Sequence, residues 1–177
     1  MREIPAENLV FLDEASVNFP LARLFARSEK GTRARGKVPY QRGKNVSMIH
    51  AMTIHKILAK CHLLGNNDGV SFEAFVLRFL VPQLWPGACV IMDNYSIHKG
   101  EQVREFIENA GAHLIYLPPY SPEFNPIEQY WSKLKSILRQ LGARTYQELV
   151  DAIDFAVEQV SPQDIHNWFT YSCYCTS

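Results

Sequence analysis

The sequence has few cysteines, no net charge and no long hydrophobic run, and each of these absences excludes a class of protein. Its four cysteines form neither paired Cys-x-x-Cys motifs nor a dense disulfide pattern, so the signatures of zinc binding and of secretion are both missing. No apolar run approaches the roughly 18 residues of a membrane-spanning helix, and we find no basic-then-apolar leader. We therefore expect a soluble protein in a reducing, intracellular compartment.

The composition is that of a folded domain. The chain has 177 residues, of which 47% are hydrophobic and 20% are charged. A chain of this length can bury a substantial core, and one domain is the default expectation. We therefore expect residues 1–177 to form a single domain, without internal repeats or low-complexity segments.

The basic residues are unevenly distributed. Eight of the 18 fall within 22 positions, and outside this segment there are 10 basic against 17 acidic residues. The segment could be a solvated loop or could bind phosphates, and its sequence favours neither. Its basic residues are Arg23, Arg27, Lys30, Arg33, Arg35, Lys37, Arg42 and Lys44.

The hydrophobic pattern predicts an α/β fold. Short apolar runs typical of buried strands alternate with segments in which apolar residues recur every three or four positions, as in amphipathic helices. The predicted strands lie at 9–12, 88–92 and 114–117, and two more are predicted within 46–64. Helices are predicted from Ser71 to about Pro82, through Val103 and Ile107, from Pro126, and over 146–160, with a short tail after Ser161-Pro162.

The helix from Pro126 has the clearest start signal. Asn125 is a suitable N-cap, and proline is favoured at the first helical position. Its predicted core face consists of Ile127, Trp131, Leu134, Leu138 and Leu141.

Three acidic residues occupy positions that point to chemistry. Asp13 follows the first strand, Asp93 follows the strand over 88–92, and Glu128 lies in the first turn of a helix. Ligands of open α/β sheets bind outside the carboxyl ends of the strands, where these side chains would converge. Two or three carboxylates with substrate phosphate oxygens are a sufficient site for Mg²⁺, and paired ions can drive an in-line displacement at phosphorus.

Each acidic residue also has a structural explanation. Glu128 lies three positions after Asn125, which is the spacing of a capping box. Asp93-Asn94 could form a turn that ends a strand. Of Asp13 and Glu14, alternation favours Asp13 as the ligand. Taken singly these residues favour the structural explanations, and only the triplet favours metal binding.

Three sequence motifs resemble those of the DDE-type transposases of the mariner superfamily, in particular the bacterial insertion-sequence branch. They are Leu-Val-Phe-Leu-Asp-Glu at 9–14, Val-Ile-Met-Asp-Asn at 90–94 with Ile-His-Lys at 97–99, and Leu-Pro-Pro-Tyr-Ser-Pro-Glu-Phe-Asn-Pro-Ile-Glu at 117–128. Asp93 and Glu128 are separated by 34 residues, a spacing that defines one mariner-like subgroup. The resemblance extends from Leu9 to about Phe169.

The resemblance implies a ribonuclease H-like fold, with a central mixed sheet flanked by helices. It implies two Mg²⁺ or Mn²⁺ ions, with Asp13 bridging them and Asp93 and Glu128 each holding one. It also implies hydrolysis at transposon ends, attack of the freed 3'-hydroxyl on target DNA, a homodimer in the active complex, and a cytoplasmic, nucleoid-associated protein of bacteria.

The resemblance also implies N-terminal helix-turn-helix modules, which in members of this family recognise transposon ends. Here Met1 lies only a few residues before the first predicted strand, so we expect these modules to be absent and DNA binding to be weak and independent of sequence. Two alternatives stay open: a ribonuclease H-like nuclease without strand transfer, and an inactive remnant that binds DNA or a full-length transposase.

Several further residues are candidate DNA contacts. His98 and Lys99 follow the second motif and could orient phosphate, or could pack at the start of a helix. Lys135 and Arg139 continue the stripe of Glu128 along its helix, either beside a DNA backbone or on a solvated face. Arg33, Arg35, Lys37, Arg42 and Lys44 complete the candidate set. Tyr120 and Phe124 are expected to support the proline-rich loop rather than to stack on a flipped base.

Overall fold

The computed structural model describes residues 4–18, 27–33, 35 and 45–175. Its centre is a five-stranded mixed sheet with the order β3-β2-β1-β4-β5. β1 pairs with β2, and β2 with β3, in the antiparallel sense, whereas β1 with β4 and β4 with β5 are parallel. The strands are β1 (Leu9–Asn18), β2 (Asn45–Met52), β3 (Ile57–Leu64), β4 (Cys89–Met92) and β5 (His113–Tyr116).

In the described residues, five α-helices cover the two faces of the sheet. The 3-10 turns Ala6–Asn8, Ser96–Lys99 and Pro122–Phe124 link the elements. No helix in the described part of the chain is long and apolar enough to cross a membrane. The helices are α1 (Gly69–Phe75), which continues through a π-helical turn (Val76–Leu80) and a 3-10 turn (Val81–Gln83), α2 (Glu101–Asn109), α3 (Pro126–Leu141), α4 (Tyr146–Glu158) and α5 (Pro162–Tyr171).

The central strands are buried on both faces, as their continuous apolar runs predicted. Val10 and Leu12 of β1 pack in one core with residues of α1 and α2. Leu9 and Phe11, which point the other way, pack in a second core with residues of α3, α4 and α5. The result is a three-layer structure, and the mixed sheet between two helical layers confirms the predicted fold class.

The first strand is longer than predicted. The expectation was a strand over 9–12 with Asp13 at its end, but β1 runs to Asn18 and Asp13 lies within it. The parallel pairing with β4 stops at Phe11, whereas the antiparallel pairing with β2 continues from Phe11 to Asn18. The pairing with β2 therefore keeps β1 extended beyond its parallel neighbour.

Two helix starts differ from the prediction. Asp68, not Ser71, caps α1, because its side chain accepts a hydrogen bond from the backbone N of Ser71. Helix α5 replaces the predicted tail, and its capping box of Ser161 and Asp164 is a start signal that the sequence contains.

The core face of α3 was largely predicted, with two errors. Ile127, Trp131, Leu134 and Leu138 are buried, but Leu141 is about half exposed at the end of the helix. Tyr130 was not predicted to be in the core and is completely buried, because its hydroxyl contacts a buried histidine.

Candidate active site

The sheet places Asp13 and Asp93 at the same level. Leu9, Val10 and Phe11 of β1 pair with Cys89, Val90 and Ile91 of β4. Continued by two residues, this register puts Asp13 beside Asp93, which directly follows β4. The sheet pairing thus joins the first two predicted acidic positions at one edge, where the parallel strands end.

Asp13 is a nearly buried carboxylate fixed from two sides. Its Oδ1 accepts a hydrogen bond from the backbone N of Glu14 at 2.8 Å, and its Oδ2 accepts one from Trp131 Nε1 at 3.1 Å. Burial, and next the negative charge of Glu128, raise the pKa of Asp13 to about 7, with smaller contributions from Glu14 and Asp93. The charges of all these carboxylates therefore act on Asp13.

Asp93 is held by His98. Its Oδ1 lies 2.6 Å from Nδ1 of His98 and accepts a hydrogen bond from the backbone N of Tyr95 at 3.0 Å. These contacts, the one with His98 being the stronger, lower the pKa of Asp93. The other ring nitrogen of His98, Nε2, lies 2.7 Å from Oε2 of Glu14. One imidazole thus joins the segment after β4 to a carboxylate of β1.

His98 lies in the interior of the protein. Its side chain is only 1% exposed, its ring packs on Phe72 with centroids 4.6 Å apart, and its carbonyl accepts a hydrogen bond from Tyr116 Oη. Burial lowers the pKa of His98, but the hydrogen bonds to Asp93 and Glu14 outweigh it and raise the pKa to about 10. Both ring nitrogens of His98 therefore face carboxylates and its side chain is covered, which favours a role in holding these carboxylates; its assignment as a DNA contact stays a prediction.

Glu128 is the exposed member of the acidic set. It lies in the first turn of α3, but Asn125 makes no side-chain capping hydrogen bond, so the capping box that the spacing allowed is not formed. Glu128 and Asp93 instead line one open cleft of about 390 Å³. The walls of this cleft are completed by Asn94, Tyr95, Asn125 and the loop 117–122.

The carboxylates are close in the fold but engaged with protein partners. In the described part of the chain, no three His, Cys, Asp or Glu side chains are arranged to hold a metal ion. Asp13 is bonded to Trp131 and Asp93 to His98, whereas no hydrogen bond of the Glu128 side chain is found. The arrangement can provide hard oxygen ligands once Asp93 exchanges its partner.

The described members of the predicted set of DNA contacts are at least partly exposed, apart from His98. Arg33, Arg35 and Lys99 are exposed, and Lys135 and Arg139 are partly exposed along α3. Lys37, Arg42 and Lys44 lie outside the described residues.

Tyr120 does not support the proline-rich loop as expected. Its side chain is fully exposed, and its backbone adopts φ +57°, which is uncommon for a residue with a side chain. Phe124 is also substantially exposed, although its carbonyl accepts a hydrogen bond from Tyr174 Oη. This backbone contact ties the end of the loop to the C-terminal part of the chain, whereas the two aromatic rings are not buried.

The sequence did not identify two hydrogen-bond partners of the acidic residues, Trp131 and His98, as such. Trp131 was assigned only to the core, and His98 was not assigned to Glu14. Trp131 lies one helical turn after Glu128, so a donor from the same helix was foreseeable. The bridge from Glu14 through His98 to Asp93 depends on the sheet register and has no local signal.

A mixed sheet between two helical layers, with acidic residues where the parallel strands end, defines a class of nucleases and polynucleotidyl transferases. Comparison with known proteins agrees. The chain belongs to the DDE superfamily endonuclease family, which matches residues 8–150.

Relatives and solved structures place the chain more closely. It is 35% identical over 125 residues to an uncharacterized 39 kDa protein of insertion element IS630 from Shigella sonnei, and the match covers 68% of this chain and 36% of that protein. Its fold is similar to the Mos1 transposase paired-end complex with left transposon end (TM-score 0.74, 15% identity, 93% of this chain and 52% of that one). It is likewise similar to the catalytic domain of Mos1 mariner transposase (TM-score 0.67, 12% identity, 93% and 76%). The match thus covers about a third of this curated relative. The resemblance to the bacterial insertion-sequence branch is confirmed by the family and this relative, and the ribonuclease H-like fold by the likeness to Mos1.

Proposed function

We propose that this chain is the part of a transposase that cuts DNA at the ends of a mobile element and joins the freed 3'-hydroxyl to target DNA. The main support is the meeting of Asp13, Asp93 and Glu128 at one edge of the sheet, from three distant parts of the sequence. Family membership supports the same chemistry.

The chemistry of the donor set suits a divalent cation, although the described side chains would have to close around it. Burial first, and then the negative charges of Glu128, Glu14 and Asp93, raise the pKa of Asp13, and a bound cation would offset these charges. Hard oxygen ligands of this kind suit Mg²⁺ and Mn²⁺. Mos1 paired-end complexes have been crystallised with Mn and with Mg. We infer that Asp13, Asp93 and Glu128 would hold two such ions.

The protein residues have distinct tasks in this proposal. Bound divalent ions supply Lewis-acid stabilisation of the attacking and leaving oxygens during displacement at phosphorus. Trp131 holds one oxygen of Asp13 and leaves the carboxylate little freedom to rotate. His98 holds Asp93 and Glu14 in a fixed relation. Glu128 is not engaged in a capping box with Asn125 and lines the cleft.

The DNA would approach from the exposed side of the cleft. Lys135 and Arg139 lie on the stripe of α3 that begins with Glu128, and Lys99 is exposed at the end of the 3-10 turn that follows Asp93. Arg33, Arg35, Lys37, Arg42 and Lys44 would add phosphate contacts from the basic segment. We propose transposon ends and target as the DNA partners, because Mos1 has been crystallised in paired-end and strand-transfer complexes. We also propose a homodimer as the active form, since two ends must be brought together.

Substitution of the acidic residues tests the proposal. Asp93→Asn and Glu128→Gln keep side-chain volume and remove one ligand charge each, so Mg²⁺-dependent nicking of plasmid DNA should fall by at least about 100-fold. Asp151→Asn, at an exposed position on α4, is the matched control and should cut normally. Full nicking activity in Asp93→Asn would rule out the assignment.

A second assay separates the alternatives. Wild-type protein is given pre-cleaved duplexes from the ends of its own element together with a target plasmid. Joined products support a transposase. Cutting without joining indicates a nuclease, and DNA binding with neither activity indicates an inactive remnant.

A further inference from the structure

A second, smaller cavity adjoins the acidic cleft. It measures about 240 Å³ and lies where β1, β2 and the loop before α1 meet. Ser16 and Ser47 face each other across the β1–β2 pair at its base. Its lining consists of Glu14, Ala15, Ser16, Ser47, Asn66, Asn67 and Tyr95.

Asn67 has an unsatisfied side chain in this cavity wall. Both its Nδ2 and its Oδ1 are buried and have no hydrogen-bond partner. The neighbouring polar groups are already paired, since Ser47 Oγ donates to the carbonyl of Gly65 and Asn66 Oδ1 accepts from Asn45. A buried amide without partners costs free energy, so a ligand that offers one donor and one acceptor would recover it.

Tyr95 connects the cavity to the cleft. It lines both, and its ring is about half exposed. Its backbone N donates to Asp93 Oδ1, and Glu14 of the cavity wall is joined to Asp93 through His98. A group bound in the cavity would therefore lie next to whatever occupies the cleft.

The lining indicates a neutral, planar ligand. No lysine or arginine contributes to the wall among the described residues, and Glu14 would repel a phosphate. The volume is below the roughly 300–1,000 Å³ of pockets for drug-sized ligands. An asparagine amide pairs with the edge of a nucleobase through one donor and one acceptor, and a tyrosine ring stacks on its face.

We propose that this cavity binds one unstacked nucleobase of the DNA strand whose phosphodiester lies in the Asp93–Glu128 cleft. The inference rests on the proposed function, because that function places DNA in the cleft. Enzymes that act on DNA can unstack a base and identify it by its hydrogen-bonding edge and by stacking. The cavity would then fix the position of the strand relative to the acidic residues.

Binding of duplexes with a short 3' overhang tests this proposal. Each overhang nucleotide is replaced in turn by an abasic unit, and dissociation constants are measured by anisotropy with Ca²⁺, under conditions without cleavage. Wild-type protein should bind the intact overhang about 10-fold more tightly than the abasic one at a single position. Asn67→Leu and Asn67→Ser should both remove this preference and leave the affinity for the abasic duplex unchanged. Asn109→Leu, at the far end of α2 and the opposite edge of the sheet, should keep it.

The outcomes separate this inference from the proposed function. Equal binding of intact and abasic overhangs by wild-type protein would overturn the proposal that the cavity binds a base. A preference that survives in both Asn67 variants would overturn it as well. Neither result depends on cutting. A failure of the proposed function appears instead as missing Mg²⁺-dependent nicking. Comparison of the four bases at the sensitive position shows which edge Asn67 selects.

Discussion

The indole nitrogen of Trp131 donates a hydrogen bond to Oδ2 of Asp13 across 3.1 Å in the interior of the protein. Trp131 belongs to the same helix as Glu128 and lies one turn further along it. Helix α3 therefore provides one acidic residue and fixes the orientation of another. Any shift of α3 along the sheet would move both at once.

Removing this hydrogen bond should weaken the site more than the fold. Trp131→Phe keeps an aromatic ring in the core but leaves a buried carboxylate oxygen without its donor. We expect a loss of about 1–3 kcal/mol in unfolding free energy. We also expect a higher Mg²⁺ concentration for half-maximal nicking, because Asp13 can then rotate. Denaturant unfolding and a Mg²⁺ titration measure the two effects.

Trp168→Phe is the matched control for this prediction. Trp168 lies on α5, half-buried, with its ring near Tyr130 and away from Asp13. It should cost some packing free energy and leave the Mg²⁺ dependence unchanged. If both variants shift the Mg²⁺ titration equally, the hydrogen bond to Asp13 has no special role.

His98 should be required for the stability of the site region. In His98→Leu, Glu14 and Asp93 lose their shared hydrogen-bond donor. Their negative charges then lie near Asp13 with no imidazolium to offset them. A loss of about 1–3 kcal/mol is expected, because the largely buried Glu14 loses its donor whereas the half-exposed Asp93 can be solvated. Thermal or denaturant unfolding measures it. His113→Leu, at an exposed position that begins β5, is the control and should change stability little; an equal loss there would contradict the prediction.

The sequence allowed the fold class and the acidic triplet to be predicted because both depend on local patterns. Apolar runs of strand length and the Asn125-Pro126 helix start are visible without any long-range information. The motif spacing from Asp93 to Glu128 gave the family. The metal-ligand roles of these residues stay predictions.

Other features could not be read from local patterns. The length of β1 depends on its antiparallel partner, so Asp13 appeared to end a strand that in fact continues to Asn18. His98 bridges Glu14, which lies 84 positions before it in the sequence, and Asp93, which lies 5 positions before it. Helix α5 was missed although Ser161 and Asp164 signal its start, because its apolar residues are few.

Tyr130 should stabilise the protein through a buried polar contact. Its hydroxyl lies 2.6 Å from Nδ1 of His50, whose Nε2 lies 3.1 Å from Nε2 of His62. Burial lowers the pKa of His50, so the ring is neutral and needs a partner for each nitrogen. Tyr130→Phe should therefore cost about 1–3 kcal/mol in denaturant unfolding. Tyr146→Phe, at a partly exposed position, should cost much less; equal losses would mean that the hydroxyl contact is unimportant.

The ion pair between Lys133 and Asp164 should make stability depend on pH in the acid range. Lys133 Nζ lies 2.5 Å from Asp164 Oδ2, which also accepts from the backbone N and the hydroxyl of Ser161. Burial raises the pKa of Asp164, but these contacts outweigh it and lower the pKa to about 2. A carboxylate whose pKa is lower in the folded state stabilises that state above its unfolded pKa, about 3.8, and the stabilisation is lost as the pH falls towards 2.

Lys133→Met removes the ammonium group while Ser161 still contacts Asp164. At pH 5–6 and low salt the variant should be less stable than wild type by about 1 kcal/mol or less, since both side chains are partly exposed. The difference should shrink between pH 4 and pH 2, and added salt should reduce it at pH 6. Lys135→Met, two positions along the same helix, should show no such trend. Denaturant unfolding at several pH values measures all three proteins, and a Lys133→Met deficit that is constant from pH 6 to pH 2 would show that the charge of Asp164 is not involved.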